Sequence, residues 1–346
     1  MPTPLVVDVD TGIDDSLALV LLLASPDAEI LGIASTAGNV GVEQVAANNL
    51  AWLDLCRAPE IEVAVGSAMP LLIPLCTTED THGPQGIGYA VLPVSARSLS
   101  TRSAADMWVD LVRGRPGEVT GLVTGPLTNL ALALRIDPEL PRLLHRLVIM
   151  GGAFNYAGNT TPTTEWNISV DPEAAKIVFD AFADAARRPI VCALDITERI
   201  EMTADHLARL AERAGSSPAE VIAETDGPDI RSGASNPLVR ALSDAVRFYM
   251  TFHRAQGLGF LSHMHDPFAA AVALDPSLVQ TRAATVDVEL AGTLTRGMTV
   301  ADWTGKWGRP PNVDIARDTD PDVFFALLIE RVGDLARALY PPETTR

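Results

Sequence analysis

Six runs of nearly continuous Val, Ile and Leu punctuate the first two-thirds of the chain, at residues 5–10, 28–35, 61–66, 119–125, 144–152 and 188–195. Helical patterns separate them, such as DDSLALVLLLAS from Asp14, GVEQVAANNLAWLDLC from Gly41 and DPEAAKIVFDAFADAA from Asp171. A strand that is apolar at successive positions has no wet face, so both of its faces must be covered. Such strands alternating with helices dictate an α/β fold with a mainly parallel, doubly wound sheet and helices on both faces. Residues 279–303 alternate with period two around Gly292 and Gly297, which predicts a small antiparallel ribbon near the C-terminus.

No repeat, low-complexity tract or long Pro/Gly linker divides the 346 residues, so one α/β domain over 1–346 is expected. Residues 73–90 and 224–237 read as irregular insertions. The longest purely apolar run, residues 17–24, is too short to span a bilayer and reads as a buried helix. No basic segment precedes an apolar run at the N-terminus, so a cytoplasmic chain without a signal peptide is expected. Cys56, Cys76 and Cys192 lack metal-type spacing and read as buried free thiols. The net charge of −18, with Lys176 and Lys306 the only lysines, argues against nucleic-acid and anionic-membrane partners.

The first strand carries the sharpest chemical signal. LVVDVDTGIDDS places Asp8, Asp10, Asp14 and Asp15 within eight residues, and no Lys or Arg occurs before Arg57. Asp8 and Asp10 share one face by the two-residue alternation. Thr11-Gly12 makes a turn, and Asp14-Asp15 opens the next helix. Helix capping accounts for Asp14 or Asp15 but not for the strand pair as well. Converging carboxylates need a cation, or one of them must take up a proton. A Ca²⁺-binding EF-hand loop is excluded, because its fifth and twelfth positions counted from Asp8 are Gly12 and Leu19. A haloacid-dehalogenase-like Mg²⁺-dependent phosphatase, with Asp8 as nucleophile and Asp10 as acid/base, stays open as an alternative. Gly12 stands where that pattern has Thr.

Further polar segments follow along the chain. Thr124-Gly125 ends a strand, with a carbonyl able to face the same crevice. Asp266 precedes Pro267 at a helix start, where N-capping is its ordinary role, and His265 stands beside it. Asn159, Glu165 and Asn167 occupy a polar loop, and His82 sits in a glycine-rich one.

Together these segments resemble the inosine-uridine-preferring nucleoside hydrolase family. DVDTGIDD from Asp8 matches its Asp-x-Asp-Pro-Gly-x-Asp-Asp opening, with Thr11 in place of Pro, which is expected to loosen the first turn. AGNV from Ala37, HGPQGIG from His82, TGPLTN from Thr124, MGGAF from Met150, EWN from Glu165 and HDP from His265 follow in the family's order.

The resemblance implies hydrolysis of a ribonucleoside's N-glycosidic bond, giving ribose and free base, around a tightly held Ca²⁺. It implies Asp10, Asp15, the Thr124 carbonyl and Asp266 as metal ligands, with Asp10 also activating a Ca²⁺-bound water. Asp14, Asn39 and Asn167 would bind ribose hydroxyls, Asn159 and Glu165 the 5′-hydroxyl, and Met150 the sugar face. His265 would protonate the departing base, and His82 would lie near it. Asp8 would support the site from behind. Tyr249 is a candidate for the aromatic that closes over the base, with helix packing as its alternative role. A homodimer or homotetramer and a small-molecule substrate are expected. A non-catalytic nucleoside- or Ca²⁺-binding protein is the further alternative.

Overall fold

The computed structural model describes residues 1–217, 222–227 and 229–342. All six apolar runs form parallel strands: β1 (Thr3–Val9), β2 (Ala28–Ser35), β3 (Glu62–Val65), β4 (Thr120–Val123), β5 (Arg146–Met150) and β6 (Ile190–Cys192). A two-residue pair follows, β7 (Glu201–Met202) with β8 (Ser262–His263), outside the main sheet. The chain then adds β9 (Gln280–Val288), β10 (Thr299–Asp302) and β11 (Val313–Asp318). The nine-stranded sheet has the order β10-β9-β11-β6-β5-β4-β1-β2-β3.

β1 pairs in parallel with both β2 and β4. The chain winds outward through β2 and β3, then returns to wind the other way from β4. The crevice between the C-terminal ends of β1 and β4 is therefore the switch point, where open α/β sheets bind ligands. The expected ribbon exists as β9 and β10, but it is not a separate unit. β11 pairs antiparallel with β9 and parallel with β6, which makes the ribbon the edge of the main sheet.

Two apolar layers cover the sheet. Leu5, Val7 and Val9 point into one, shared with the helices Ile13–Leu23, His265–Leu274 and Pro321–Leu339. Val6 points into the other, with Trp108, Leu130 and Phe179 from the helices Ala104–Gly114, Thr128–Ile136 and Pro172–Ala181. The apolar run 17–24 falls largely in the helix Ile13–Leu23, whose residues from Ile13 to Leu22 are all buried, the polar ones included. Among the described residues no helix is long and apolar enough to cross a membrane.

Residues 73–90 are irregular apart from the helical turn Glu79–His82. The other insertion is irregular over its described residues up to Asn236, Pro237 opening the helix Pro237–Ala255, and Pro228 lies outside the described residues. All three cysteines are unbridged, with Cys56 and Cys192 buried as expected, but Cys76 is exposed. It lies on the loop before Glu79, and that loop borders a cavity rather than the core.

Candidate active site

Asp10 follows the last residue of β1 and Thr124 follows β4, so the switch point brings them together. The Thr124 N–H donates to the Asp8 carbonyl at 2.9 Å, which extends the strand pairing to the edge of the crevice. The chain then turns at Gly12. A methyl group there would press on the Asn39 amide and the His82 ring, so only glycine lets the three elements meet. Asp15, at the third position of the helix, accepts from the Gly12 N–H at 2.9 Å, half of a capping box. Thr11 does not loosen this turn. Its hydroxyl donates to Asn49 Oδ1 at 2.5 Å, and its carbonyl accepts from Asn48, tying the turn to the helix Val42–Leu55.

Asp10, Asp14, Asp15 and Asp266 are all buried, and among the described residues no lysine or arginine lines the cavity that Asp10, Asp14 and Asp266 border. Carboxylate oxygens of Asp14, Asp15 and Asp266 lie within 4.8 Å of one another. Asp14 thus stands inside the cluster that the resemblance reserves for metal ligands. Asp10 Oδ2 accepts from the Asn39 N–H at 2.8 Å, while its Oδ1 is buried without a hydrogen-bond partner. Thr124 contributes through two atoms: its hydroxyl donates to Asp15 Oδ1 at 2.7 Å, and its carbonyl accepts from Asn167 Nδ2 at 2.6 Å. Burial first, then the neighbouring carboxylates, pushes Asp10 and Asp266 well above the usual carboxylate range. Burial and the Asp15 charge push Asp14 up to about 7.

The adjoining cavity measures about 710 Å³ and is lined by Asn39, Met150, Asn159, Glu165, Asn167 and His265, among others. Its volume suits a small polar ligand. Glu165 caps the helix Trp166–Val170, and its oxygens accept from the N–H groups of Gly152, Asn167 and Ile168. Asn159 is exposed at the rim, where its side-chain oxygen accepts from the Trp166 N–H at 3.0 Å. Asn167 donates to Thr124 and lies 3.4 Å from the Met150 sulfur, which joins the carboxylate end to this wall.

Imidazoles line the cavity beside the carboxylates, His82 Nδ1 lying 4.0 Å from Asp14 Oδ1, and here the sequence reading was incomplete. His82 and His265 line the cavity as expected, and so does Tyr249, the candidate aromatic, but His253 and His263 line it as well. Tyr249 is carried by the helix Pro237–Ala255, its ring 5.3 Å from His82 and 4.3 Å from His253. His253 and His263 lie 4.6 Å apart, and His263 and His265 5.5 Å. Only the HMH spacing of His263 and His265 signalled any of this. Burial lowers His82 to about 3, with His253 and His263 at about 4, so these three rings are neutral at pH 7. Two tautomers follow from their partners. His82 Nδ1 accepts from the Ile13 N–H at 3.0 Å, which puts its proton on Nε2. His253 Nδ1 meets the Tyr249 carbonyl at 3.0 Å and must donate, which leaves Nε2 an acceptor.

Asp8 lies apart from the cavity. It is 1% exposed and accepts from Trp108 Nε1 at 2.8 Å, Thr36 Oγ1 at 2.5 Å and Asn129 Nδ2 at 3.0 Å. A carboxylate so enclosed has no accessible oxygen for attack on a phosphate, which removes the phosphatase alternative. All three partners donate, so an amide in its place turns an N–H₂ against a donor. Asp8→Asn is expected to destabilise the fold by about 1–3 kcal/mol, measured by chemical denaturation, while turnover per folded molecule stays near wild type.

The model of the inosine-uridine preferring nucleoside hydrolase family matches residues 5–326. The chain belongs to this family. It is accordingly a hydrolase acting on N-glycosyl bonds. It is 36% identical over 334 residues to the pyrimidine-specific ribonucleoside hydrolase RihA of Salmonella agona (strain SL483), covering 96% of this chain and 99% of that one. Among solved structures it is similar to a purine-preferring ribonucleoside hydrolase from Gardnerella vaginalis, with TM-score 0.85, 32% identity and coverage of 97% and 100%. The plant nucleoside hydrolase PpNRh1 also gives TM-score 0.85, at 29% identity and coverage of 99% and 100%. The family is metal-dependent, and the donor set here fits a hard cation: four buried carboxylates, one with an unpartnered oxygen, and, among the described residues, no lysine or arginine lining the cavity.

Proposed function

We propose that the chain hydrolyses ribonucleosides, of purine and/or pyrimidine bases, to ribose and free base, with the sugar on the carboxylates of the cavity and the base against the imidazoles. One observation carries this reading: a single cavity is lined by both the buried carboxylates and a group of imidazoles. Bond cleavage leaves positive charge on the ribosyl carbon and negative charge on the base; carboxylates suit the first and imidazole N–H donors the second.

Asp10, Asp15, the Thr124 carbonyl and Asp266 would hold Ca²⁺, with Asp14 at the edge of the cluster. When bound, the cation would neutralise the carboxylates and acidify a water. Asp10 takes the proton of the attacking water; its second oxygen is fixed by the Asn39 N–H, so the free oxygen keeps its direction. Asp14, Asn39 and Asn167 hold ribose hydroxyls, Glu165 and Asn159 the 5′-hydroxyl, and Met150 packs on the sugar. Glu165 has little freedom, since three backbone N–H groups fix it. His265 gives the departing base its proton, and His82 offers Nε2–H beside it.

Strands drawn from residues 3 to 318 into one sheet support a single domain over 1–346. Three unbridged cysteines support a reducing, cytoplasmic setting. A homodimer or homotetramer is the expected assembly, to be read by light scattering.

The test is a panel of purine and pyrimidine ribonucleosides and their 2′-deoxy counterparts, assayed for reducing sugar. Ribonucleosides are expected to release ribose, and the deoxy forms to be at least about 100-fold slower, since a lost hydrogen bond in a buried polar site costs about 3 kcal/mol. No release from any ribonucleoside would overturn the reading and leave the non-catalytic binding protein. Equal rates on both sugars would remove the 2′-hydroxyl contacts.

A further inference from the structure

His265 is held from outside the cavity. Its Nδ1 lies 2.7 Å from the hydroxyl of Thr197, the last residue of the helical turn Leu194–Thr197 that follows β6. Thr197 is completely buried and does not line the cavity, whereas His265 does. The hydroxyl makes no other hydrogen bond among the described residues, so its geometry serves the imidazole alone.

The backbone beside this contact is stapled. The Ile200 N–H donates to the Thr197 carbonyl at 3.1 Å, and the Met264 N–H donates to the Ile200 carbonyl at 2.9 Å. The small pair β7–β8 continues the staple, with Glu201 opposite His263 and Met202 opposite Ser262. The segment bearing the hydroxyl and the segment bearing the ring are therefore fixed to each other through main-chain bonds. This gives the two-residue ribbon outside the main sheet a purpose.

We propose that Thr197 is a positioning residue for leaving-group protonation: its hydroxyl accepts Nδ1–H of His265 and keeps Nε2 turned to the departing base. The proposal rests on the reading of His265 as the acid. In the step, Nε2 gives its proton to the base nitrogen as the glycosidic electron pair moves onto that nitrogen. The ring is left neutral with its remaining proton on Nδ1. A hydroxyl that accepts from Nδ1–H fixes the ring plane and leaves Nε2 as the nitrogen free to meet the base. Without it the ring turns about its side-chain bonds, and the acid loses its aim.

The test compares ribonucleosides with p-nitrophenyl β-riboside, whose phenolate leaves without a proton. Thr197→Val removes the hydroxyl at nearly constant volume. It is expected to lower kcat on ribonucleosides by about 30-fold, within the range of misaligned general acids, with KM within about twofold. On p-nitrophenyl riboside the same variant is expected to stay within about twofold of wild type. Thr197→Ser is expected to restore most of the nucleoside rate. Equal losses on both substrates would assign Thr197 a structural role and overturn the proposal, as would an unchanged nucleoside rate. If His265→Ala spares nucleoside hydrolysis, the acid assignment fails first and the proposal with it.

Discussion

Metal-free protein is expected to lose thermal stability as pH rises from about 5 to about 8, and Ca²⁺ to restore it most at the upper end. The carboxylates decide the sign. Asp10, Asp14 and Asp266 are all raised in the folded chain, first by burial and then by neighbouring carboxylates, Asp15 foremost for Asp10 and Asp14, with Asp14 at about 7. Asp8, held by Thr36, Trp108 and Asn129, is raised by burial to about 6. A raised carboxyl binds its proton more tightly folded than unfolded. Between its ordinary value and its folded value the folded state therefore carries the extra proton, and stability falls with rising pH. A cation removes the repulsion that makes ionisation costly. At about 1,000 times its dissociation constant it stabilises by about 4 kcal/mol, or about 5 °C for a chain of this length. Scanning calorimetry after chelation, with and without Ca²⁺ or Mg²⁺, reads this directly. A midpoint independent of pH and of Ca²⁺ would remove the cation from this site. A larger gain with Mg²⁺ than with Ca²⁺ would change its identity, since Ca²⁺ accommodates more oxygens in a flexible shell.

The part of this site legible in the sequence is the part built from local spacing. Continuous apolar runs located six strands, because a strand buried on both faces has no polar alternation to hide it. Asp10 at the end of β1 and Asp15 in the first helical turn were readable for the same reason: both positions follow from a strand, a glycine turn and a helix within a dozen residues. Asp8 was placed on the right strand, but its partners Trp108 and Asn129 lie about a hundred residues away and leave no local mark. β11 escaped notice because its run is short and interrupted by charge. The imidazole wall escaped for a different reason. His253 sits on an ordinary amphipathic helix, four residues after the candidate aromatic Tyr249, and only the tertiary fold turns that face toward His263 and His82. Thr197 carried no signal, since a buried threonine ending a four-residue helical turn looks like any other.

Asp10→Ala is expected to lower kcat by about 10³-fold, the range of a lost general base, and to leave the fold intact. The two oxygens of Asp10 have separate fates, and that makes the outcome specific. Oδ2 is held by the Asn39 N–H, and Oδ1 has no partner. Truncation abandons one buried N–H, which costs about 1–3 kcal/mol, but it also removes one charge from a cluster of raised carboxylates. The unfolding midpoint of the metal-free variant should therefore lie close to wild type. Asp10→Asn separates the two roles, since its amide oxygen can keep the Asn39 bond while the group can no longer take a proton. Circular dichroism and denaturation would show both variants folded, and ribose release would show both nearly inactive. Wild-type turnover in Asp10→Asn would mean that Asp10 shapes the site without accepting the proton, and the base would then have to be sought in Asp14, the one carboxylate of the pair opening the helix that lines the cavity.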